Sequence, residues 1–208
     1  MLNNDIEITD ITTTKRGLNA LFCKNGFLFS VDDMVLYRND IHIGSCFTRQ
    51  ELDCIYKQSE TAKAVDKCYT LLSFRMHSSK ELVDKLSKKF DRDTAVSAVE
   101  KMLRQGLVDD EKFALLKAEY MLNIKKYSPR QAVAKLGLLG IDRETAQRAV
   151  NAYRPEDMPA RIARLIEKKY ISKISQPEKI VASLVRKGYN YSDIKAALNL
   201  INIDLQEY

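Results

Sequence analysis

The spacing of hydrophobic positions changes near residue 60. Before it, hydrophobic and polar residues alternate, as in half-buried strands, in three segments at residues 6–8, 18–23 and 27–31. Residues 24–26 form a turn signal between the last two segments. Ser30 with Asp33, and Thr48 with Glu51, have the spacing of capping boxes at the start of short helices. We therefore predict an N-terminal β-hairpin or meander with one or two short helices.

Beyond residue 60, hydrophobic residues recur at intervals of three and four, which is typical of amphipathic helices. The first such stripe contains Leu82, Val83, Leu86 and Phe90. Further stripes follow until close to residue 201, each in a stretch of about 10 to 15 residues, a normal length for a globular helix. The low content of seven Gly and four Pro also favours helices over a strand-and-turn fold.

The helical part contains an internal repeat. The segment DRDTAVSAV (91–99) matches DRETAQRAV (142–150) at six of nine positions, and residues 176–198 form a fainter third copy. This alignment makes Leu86, Leu136 and Leu184 equivalent. Because each copy also has a preceding helix, near residues 60–75, 110–125 and 158–171, we predict three three-helix units in tandem.

The predicted fold is mainly α, with three tandem three-helix repeats in an elongated array behind the small β-rich subdomain. The expected domains are a head at 1–58 and repeats at 59–108, 109–153 and 154–208. Residues suited to helix starts and turns lie at the joints between helices. Ser78, Ser128, Asp91 and Asp142 are predicted N-caps, and Gly140 and Gly188 are predicted to adopt positive φ.

The formal charge of +6 is unevenly distributed. Residues 1–60 hold six basic and nine acidic residues, a net charge of −3, whereas residues 61–208 hold 28 and 19, a net charge of +9. A basic body predicts an anionic partner such as nucleic acid or an acidic protein groove. No hydrophobic run is long enough for a membrane helix and the first residues lack signal-peptide features, so we expect a cytoplasmic protein with no membrane contact.

Three segments resemble the RecX family, bacterial regulators of the RecA recombinase. Residues 75–82, RMHSSKEL, resemble its R-x-x-S-x-x-E-L motif, and residues 106–114, GLVDDEKFA, resemble its D-D-x-x-F-A motif after a glycine. Residues 128–141 resemble the second-repeat helix that ends L-x-x-x-G-I. The motif residues have expected structural roles and are Arg75, Ser78, Glu81, Leu82, Gly106, Asp109, Asp110, Phe113, Ala114, Leu136 and Gly140.

This resemblance covers roughly residues 60–200 and implies a function. It implies a non-enzymatic negative modulator that binds along the groove of the RecA filament on DNA. Such a protein restrains filament extension, ATP hydrolysis and strand exchange in recombination, DNA repair and the SOS response. The implied partners are the RecA filament and DNA, contacted directly or through RecA. We further expect a monomer that needs no cofactor.

Two acidic and polar clusters are weak candidates for chemistry. Asp109, Asp110 and Glu111 could bind a divalent metal, but they precede a helical stripe, where acidic residues cap the helix and favour its positive end. His77 and Ser78 lie in sequence near Asp84, but neighbours at a helix start do not place a base on a nucleophile. No nucleotide-binding glycine motif occurs either. We therefore predict no catalytic, metal or cofactor site.

The basic residues of the repeats are the candidate contacts to filament or nucleic acid. They are Lys85, Lys88, Lys89, Lys125, Lys126, Arg130, Arg161, Arg164, Lys168, Lys169, Arg186 and Lys187. For any one of them a solvated helix face is the better explanation, whereas for the whole set, given the net charge of +9, a contact to phosphate or to an acidic groove explains the charge equally well. The alternative function is a stand-alone DNA- or RNA-binding helical-repeat protein. Against it, the charge of the body is thinly shared among the repeats, which favours an electrostatic stripe combined with protein contacts.

Overall fold

The computed structural model describes residues 5–153 and 157–203. The chain separates into two compact units, the first ending at Val108 and the second beginning at Asp109. The helices of the described residues are α1 Asp33–Arg38, α2 Arg49–Phe74, α3 Ser79–Leu86, α4 Arg92–Arg104, α5 Asp110–Glu119, α6 Pro129–Leu138, α7 Arg143–Ala152, α8 Met158–Lys169, α9 Pro177–Arg186 and α10 Tyr191–Leu200. Across these described residues, no helix combines the length and the hydrophobicity needed to cross a membrane.

Two small antiparallel sheets form the N-terminal head. Their strands are β1 Ile6–Glu7, β2 Asp10–Thr13, β3 Asn19–Cys23, β4 Gly26–Val31 and β5 Cys46–Phe47. Strands β2, β3 and β4 form a meander, and β1 pairs with β5 in a second sheet. The mainly helical fold with a small N-terminal sheet is confirmed, whereas the pairing of β1 with the distant β5 was not predicted.

The two helix starts of the head differ in how well they were predicted. Thr48 and Glu51 form the predicted capping box. The N-cap of α1 is Asp32, whose carboxylate accepts a hydrogen bond from the Val35 N–H at 2.7 Å. The prediction of Ser30 as this cap is wrong, because Ser30 belongs to β4, where its carbonyl accepts a hydrogen bond from the Ser59 hydroxyl.

Helix α2 is longer than predicted. The predicted short helix after Thr48 and the predicted helix near residues 60–75 are one continuous helix, which begins at Arg49 and runs through the predicted boundary between residues 58 and 59. Its first half contributes Leu52 and Ile55 to the core of the head, and its second half contributes Ala64, Val65 and Cys68 to the next core. Helix α2 therefore contributes side chains to two hydrophobic cores. The predicted start of the third repeat at residue 154 and its end at residue 208 lie outside the described residues.

The helices after the head pack in consecutive sets of three. The second half of α2 packs with α3 and α4, α5 with α6 and α7, and α8 with α9 and α10. The aligned leucines Leu86, Leu136 and Leu184 are 1%, 0% and 0% exposed. The residues that the sequence repeat makes equivalent are therefore equally buried, in line with the predicted repeat.

The joints between these helices follow the predicted caps and turns. Ser78, Asp91, Ser128 and Asp142 each accept a hydrogen bond at the start of α3, α4, α6 and α7. Gly140 and Gly188 adopt positive φ, as predicted. The first copy lacks a glycine there and closes its turn with the Phe90 N–H donating to the Leu86 carbonyl.

Four motif residues of the first unit, Arg75, Ser78, Glu81 and Leu82, lie at the joint between α2 and α3. The Arg75 guanidinium donates two hydrogen bonds to the Glu81 carboxylate, at 3.0 and 3.1 Å. His77 is only 4% exposed, and its Nδ1 lies 3.0 Å from the Arg75 carbonyl oxygen. Leu82 is fully buried. This joint therefore contains an ion pair and a buried imidazole next to the N-cap of α3.

The buried imidazole makes the stability of this joint depend on pH. Burial lowers the pKa of His77 from its ordinary value, with the charges of Arg75, Glu81 and Lys85 nearby. Because the unfolded chain then binds the proton more readily, the stability from neutral His77 is present at neutral pH and lost on acidification. Between about pH 7.5 and about pH 5.5, we expect the melting temperature of the wild type to fall more than that of H77Q. An equal fall in both proteins would show that other groups control the acid response.

Candidate functional site

The structure divides the basic candidates between the two units. Lys85, Lys88 and Lys89 are exposed at the end of α3 and in the turn after it, in the first unit. The Lys89 ammonium lies 5.3 Å from the centre of the Phe90 ring. These lysines occupy an ordinary solvated edge.

Six of the candidates come together in the second unit, where three joints between helices meet. We call this set the basic joint, which comprises Lys125, Lys126, Arg130, Lys169, Arg186 and Lys187. Lys125, Lys126, Lys169 and Lys187 line a depression of about 180 Å³, together with Tyr127 and Tyr189. Arg130, Arg186 and Lys187 line a second depression of about 410 Å³. Because Lys187 and Gln131 line both depressions, the two adjoin each other.

The backbone between α5 and α6 presents the first two lysines of the joint. Helix α5 passes into a π-helical turn at Tyr120–Ile124, and Lys126 adopts a left-handed conformation with φ of 57°. Ser128 then starts α6 in a capping box with Gln131. This break in the helix places Lys125 and Lys126 immediately before α6.

The turn between α9 and α10 is fastened to this segment by long-range hydrogen bonds. The Ser128 hydroxyl donates to the Lys187 carbonyl, and the Tyr189 hydroxyl donates to the Lys126 carbonyl at 3.2 Å. Gly188, with φ of +84°, lies so close to α6 that a Cβ at this position would be 2.8 Å from the Arg130 Cβ. These contacts hold the two basic segments side by side.

The side chain of Lys187 is held in place by its neighbours. Its ammonium donates to the Tyr170 hydroxyl at 2.6 Å, and this hydroxyl lies 3.0 Å from the Ser183 Oγ. Burial raises the pKa of Tyr170, but the hydrogen bonds with Lys187 and Ser183 outweigh burial and hold it below its ordinary value. Lys187 therefore has a fixed position at the boundary between the two depressions.

The charge of the basic joint is not neutralised within the described part of the chain. There, no carboxylate lies within 4.0 Å of a charged nitrogen of these six residues. Neither depression has an aspartate or glutamate in its lining. A concave surface with this lining favours an anionic ligand.

The other three candidates of the second unit lie outside the basic joint. Arg161 is half-buried, and its guanidinium donates to the Leu122 carbonyl. Burial lowers the pKa of Arg161. Arg164 and Lys168 are exposed on α8 and line neither depression. Arg161 thus joins α8 to the π-helical turn, which the sequence pattern did not indicate.

The motif residues of the second unit have capping, turn and core positions. The Asp109 carboxylate accepts a hydrogen bond from the Lys112 N–H at 2.8 Å and caps α5. Asp110 follows it in the first turn, and Phe113 and Ala114 are buried. In the first unit, Gly106 has positive φ just after α4. These capping, turn and core positions indicate that the motif residues stabilise the fold.

One side chain next to the basic joint was not singled out by sequence reasoning. Ser183 stands at an ordinary helical position, and the Tyr170 hydroxyl connects its side chain to Lys187. Ser183 on α9 and Lys187 directly after this helix are one helical turn apart, and this spacing was a local signal for part of the arrangement.

Comparison with known proteins shows which proteins this chain resembles. The family model that describes the first three-helix domain of RecX matches residues 64–102 of this chain. A regulatory protein RecX of Bacillus licheniformis is 33% identical over 204 residues, covering 92% of this chain and 76% of the relative. The RecX of Bacillus subtilis is 28% identical, with 96% and 79% covered, and that of Clostridium perfringens is 27% identical, with 89% and 91% covered.

Solved structures show a similar fold. A crystal structure of a regulatory protein RecX superimposes with a TM-score of 0.75 at 21% identity, covering 93% of this chain and 99% of that one. RecX from Lactobacillus salivarius gives a TM-score of 0.60 at 24% identity, covering 70% and 98%. At these identities the likeness concerns the fold.

Proposed function

Since this chain belongs to the RecX family of regulatory proteins, we propose that it regulates the RecA recombinase by binding along the RecA filament on DNA. In this proposal it restrains filament extension, ATP hydrolysis and strand exchange. It acts through binding alone, as a non-enzymatic modulator. It works as a monomer and needs no cofactor.

The observation that carries this proposal is the basic joint. Its six cations are displayed on a concave surface of one unit, and within the described residues no carboxylate neutralises them. A nucleoprotein filament presents both phosphates and acidic side chains in its groove, so a basic concave surface is complementary to it. Lysines such as Lys125 and Lys126 then supply electrostatic attraction, while neighbouring contacts supply specificity.

The consecutive sets of three helices support a modular way of binding. We propose that the repeats at 59–108, 109–153 and 154–208 act as linked modules, each contacting the filament weakly. Linked weak contacts give a higher overall affinity than any one module has, because the second contact forms within the same complex. Lys85, Lys88 and Lys89 of the first unit would contribute to this binding.

The direct test is the DNA-dependent ATPase of RecA. The purified full chain is expected to reduce the rate of ATP hydrolysis and of strand exchange, with the effect saturating at or below an equimolar ratio to RecA. Sedimentation of the protein with preformed RecA filaments measures binding in the same samples. An unchanged ATPase and unchanged strand exchange at saturating protein would contradict the proposal.

The basic joint also favours the second candidate, a stand-alone DNA- or RNA-binding protein. This function predicts submicromolar binding to bare DNA with a steep salt dependence and no preference for RecA filaments. Sedimentation with naked DNA and with filaments across one salt series separates the two functions. Preference for the filament at moderate salt would support the first.

A further inference from the structure

We propose that the basic joint is a binding site for the sugar–phosphate backbone of a single-stranded nucleic acid. One phosphate occupies the depression lined by Lys125, Lys126 and Lys169, and a neighbouring phosphate occupies the depression lined by Arg130 and Arg186. Lys187 lies between them. This inference deepens the proposed function, on which it rests, because it assigns to particular residues the contact with the DNA strand inside the filament.

The first argument concerns the convergence of charge. Four lysines line a single depression of about 180 Å³. Like charges held close together repel each other, and this repulsion is relieved when an anion binds among them. By contrast, Arg164 and Lys168 are exposed on α8 and line neither depression. The arrangement therefore points to a bound anion.

The second argument concerns the shape of the charged surface. A single carboxylate or a free phosphate would need one depression. Here two depressions adjoin, and both are lined by cations, with Lys187 and Gln131 common to them. Such a continuous track matches a ligand whose charges repeat along a chain. Lysine binds phosphate as a point charge and arginine binds it as a fork, so both residue types suit this ligand.

The third argument concerns the aromatic lining and the order of the site. Tyr127 and Tyr189 line the same depression as the lysines, and a base next to the bound phosphate can stack on an aromatic ring, as in many single-strand sites. The half-buried Tyr127 offers the more accessible ring. Lys187 is already fixed by Tyr170, so binding costs less ordering of side chains.

The experiment uses the full chain without RecA and a fluorescent oligothymidylate, with binding followed by fluorescence anisotropy across a salt series. Lys169→Gln is expected to weaken binding several-fold. The combination of K125Q, K126Q and K169Q is expected to weaken it by more than about tenfold and to reduce the slope of log affinity against log salt by roughly 2.

Lys168→Gln is the matched control, because Lys168 precedes Lys169 on α8, carries the same charge and lines neither depression. It is expected to change the affinity less than about twofold. Circular dichroism verifies that every variant is folded. Equal losses in K168Q and K169Q would overturn the inference, because binding would then depend on total charge and not on the basic joint.

The remaining outcomes separate this inference from the proposed function. Failure of the wild type to bind the oligonucleotide at low salt overturns the inference, whatever the protein does to the ATPase of RecA. If the triple variant binds the oligonucleotide normally but no longer restrains RecA, the basic joint contacts an acidic protein surface and the inference is again wrong. If the basic joint is needed for oligonucleotide binding but the wild type does not affect RecA, the site stands and the proposed function fails.

Discussion

Replacing Gly188 with alanine is expected to lower the free energy of unfolding of the second unit by about 3 kcal/mol. Gly188 has φ of +84°, a conformation that costs an L-residue about 1 to 2 kcal/mol. A Cβ would also lie 2.8 Å from the Arg130 Cβ and 3.1 Å from the Ser128 Oγ, the atom that caps α6. Relief of this contact requires a shift of backbone, because a Cβ moves with its own main chain. Urea denaturation followed by circular dichroism measures the loss.

Gly106 provides the control for this substitution. It has a similar φ of +69°, but no atom lies within 4 Å of the position of its Cβ. Gly106→Ala is therefore expected to cost only the conformational part, about 1 kcal/mol. A loss in G188A no larger than in G106A would mean that α6 and the turn after α9 separate at little cost.

Local signals were sufficient to predict most helix starts and the repeat. Ser78, Asp91, Ser128 and Asp142 cap helices by contacts within three residues, so their role can be read from the chain alone. Burial of the aligned leucines follows from hydrophobic spacing in the same way. The resemblance to the RecX family rests on such local motifs, and it is confirmed by relatives that align along most of the chain. Family membership also agrees with the prediction of a regulatory protein and not an enzyme.

The errors in the head arose where tertiary contacts decide the structure. A separate helix near residues 60–75 was predicted because the spacing of hydrophobic positions changes near residue 60, but α2 runs without a break from Arg49, and Leu52 and Ile55 of its first half pack into the core of the head. The N-cap of α1 is Asp32 and not the predicted Ser30, because Ser30 lies in strand β4. The spacing of hydrophobic and polar residues along the chain does not show which residues distant in sequence come into contact.

The basic joint shows the same limit at the level of function. Sequence reasoning placed the twelve basic residues in an electrostatic stripe along the repeats and did not predict that six of them converge, because Lys126 and Lys187 are far apart in the chain. The contacts of Ser128 with Lys187 and of Tyr189 with Lys126 bring them together. The charge was therefore predictable from composition, whereas its concentration at one place depends on the packing of three joints.

Leu184→Ala is expected to destabilise the set of α8, α9 and α10 by about 2 to 5 kcal/mol, because truncation of a buried leucine loses its transfer free energy and leaves a cavity. Leu184 is 0% exposed and belongs to the same core as Ile162, Ile166 and Tyr189. This core also positions α8 and α9, which carry Lys169 and Arg186. Urea denaturation gives the loss in free energy, and amide hydrogen exchange reports where it occurs.

The distribution of the exchange rates is the sharper part of this prediction. The core of α8, α9 and α10 and the core around Leu86 are separate clusters in different units. Amides of α8 to α10 are therefore expected to exchange faster in L184A, and those of α3 and α4 to exchange at the rate of the wild type. Val185→Ala is the control, because Val185 is the next residue on α9 and is 43% exposed. If the units unfold separately, a cavity in the core of α8, α9 and α10 accelerates exchange only in the unit that contains it. Equal acceleration of amide exchange in both units of L184A would therefore mean that the chain unfolds as a single cooperative body.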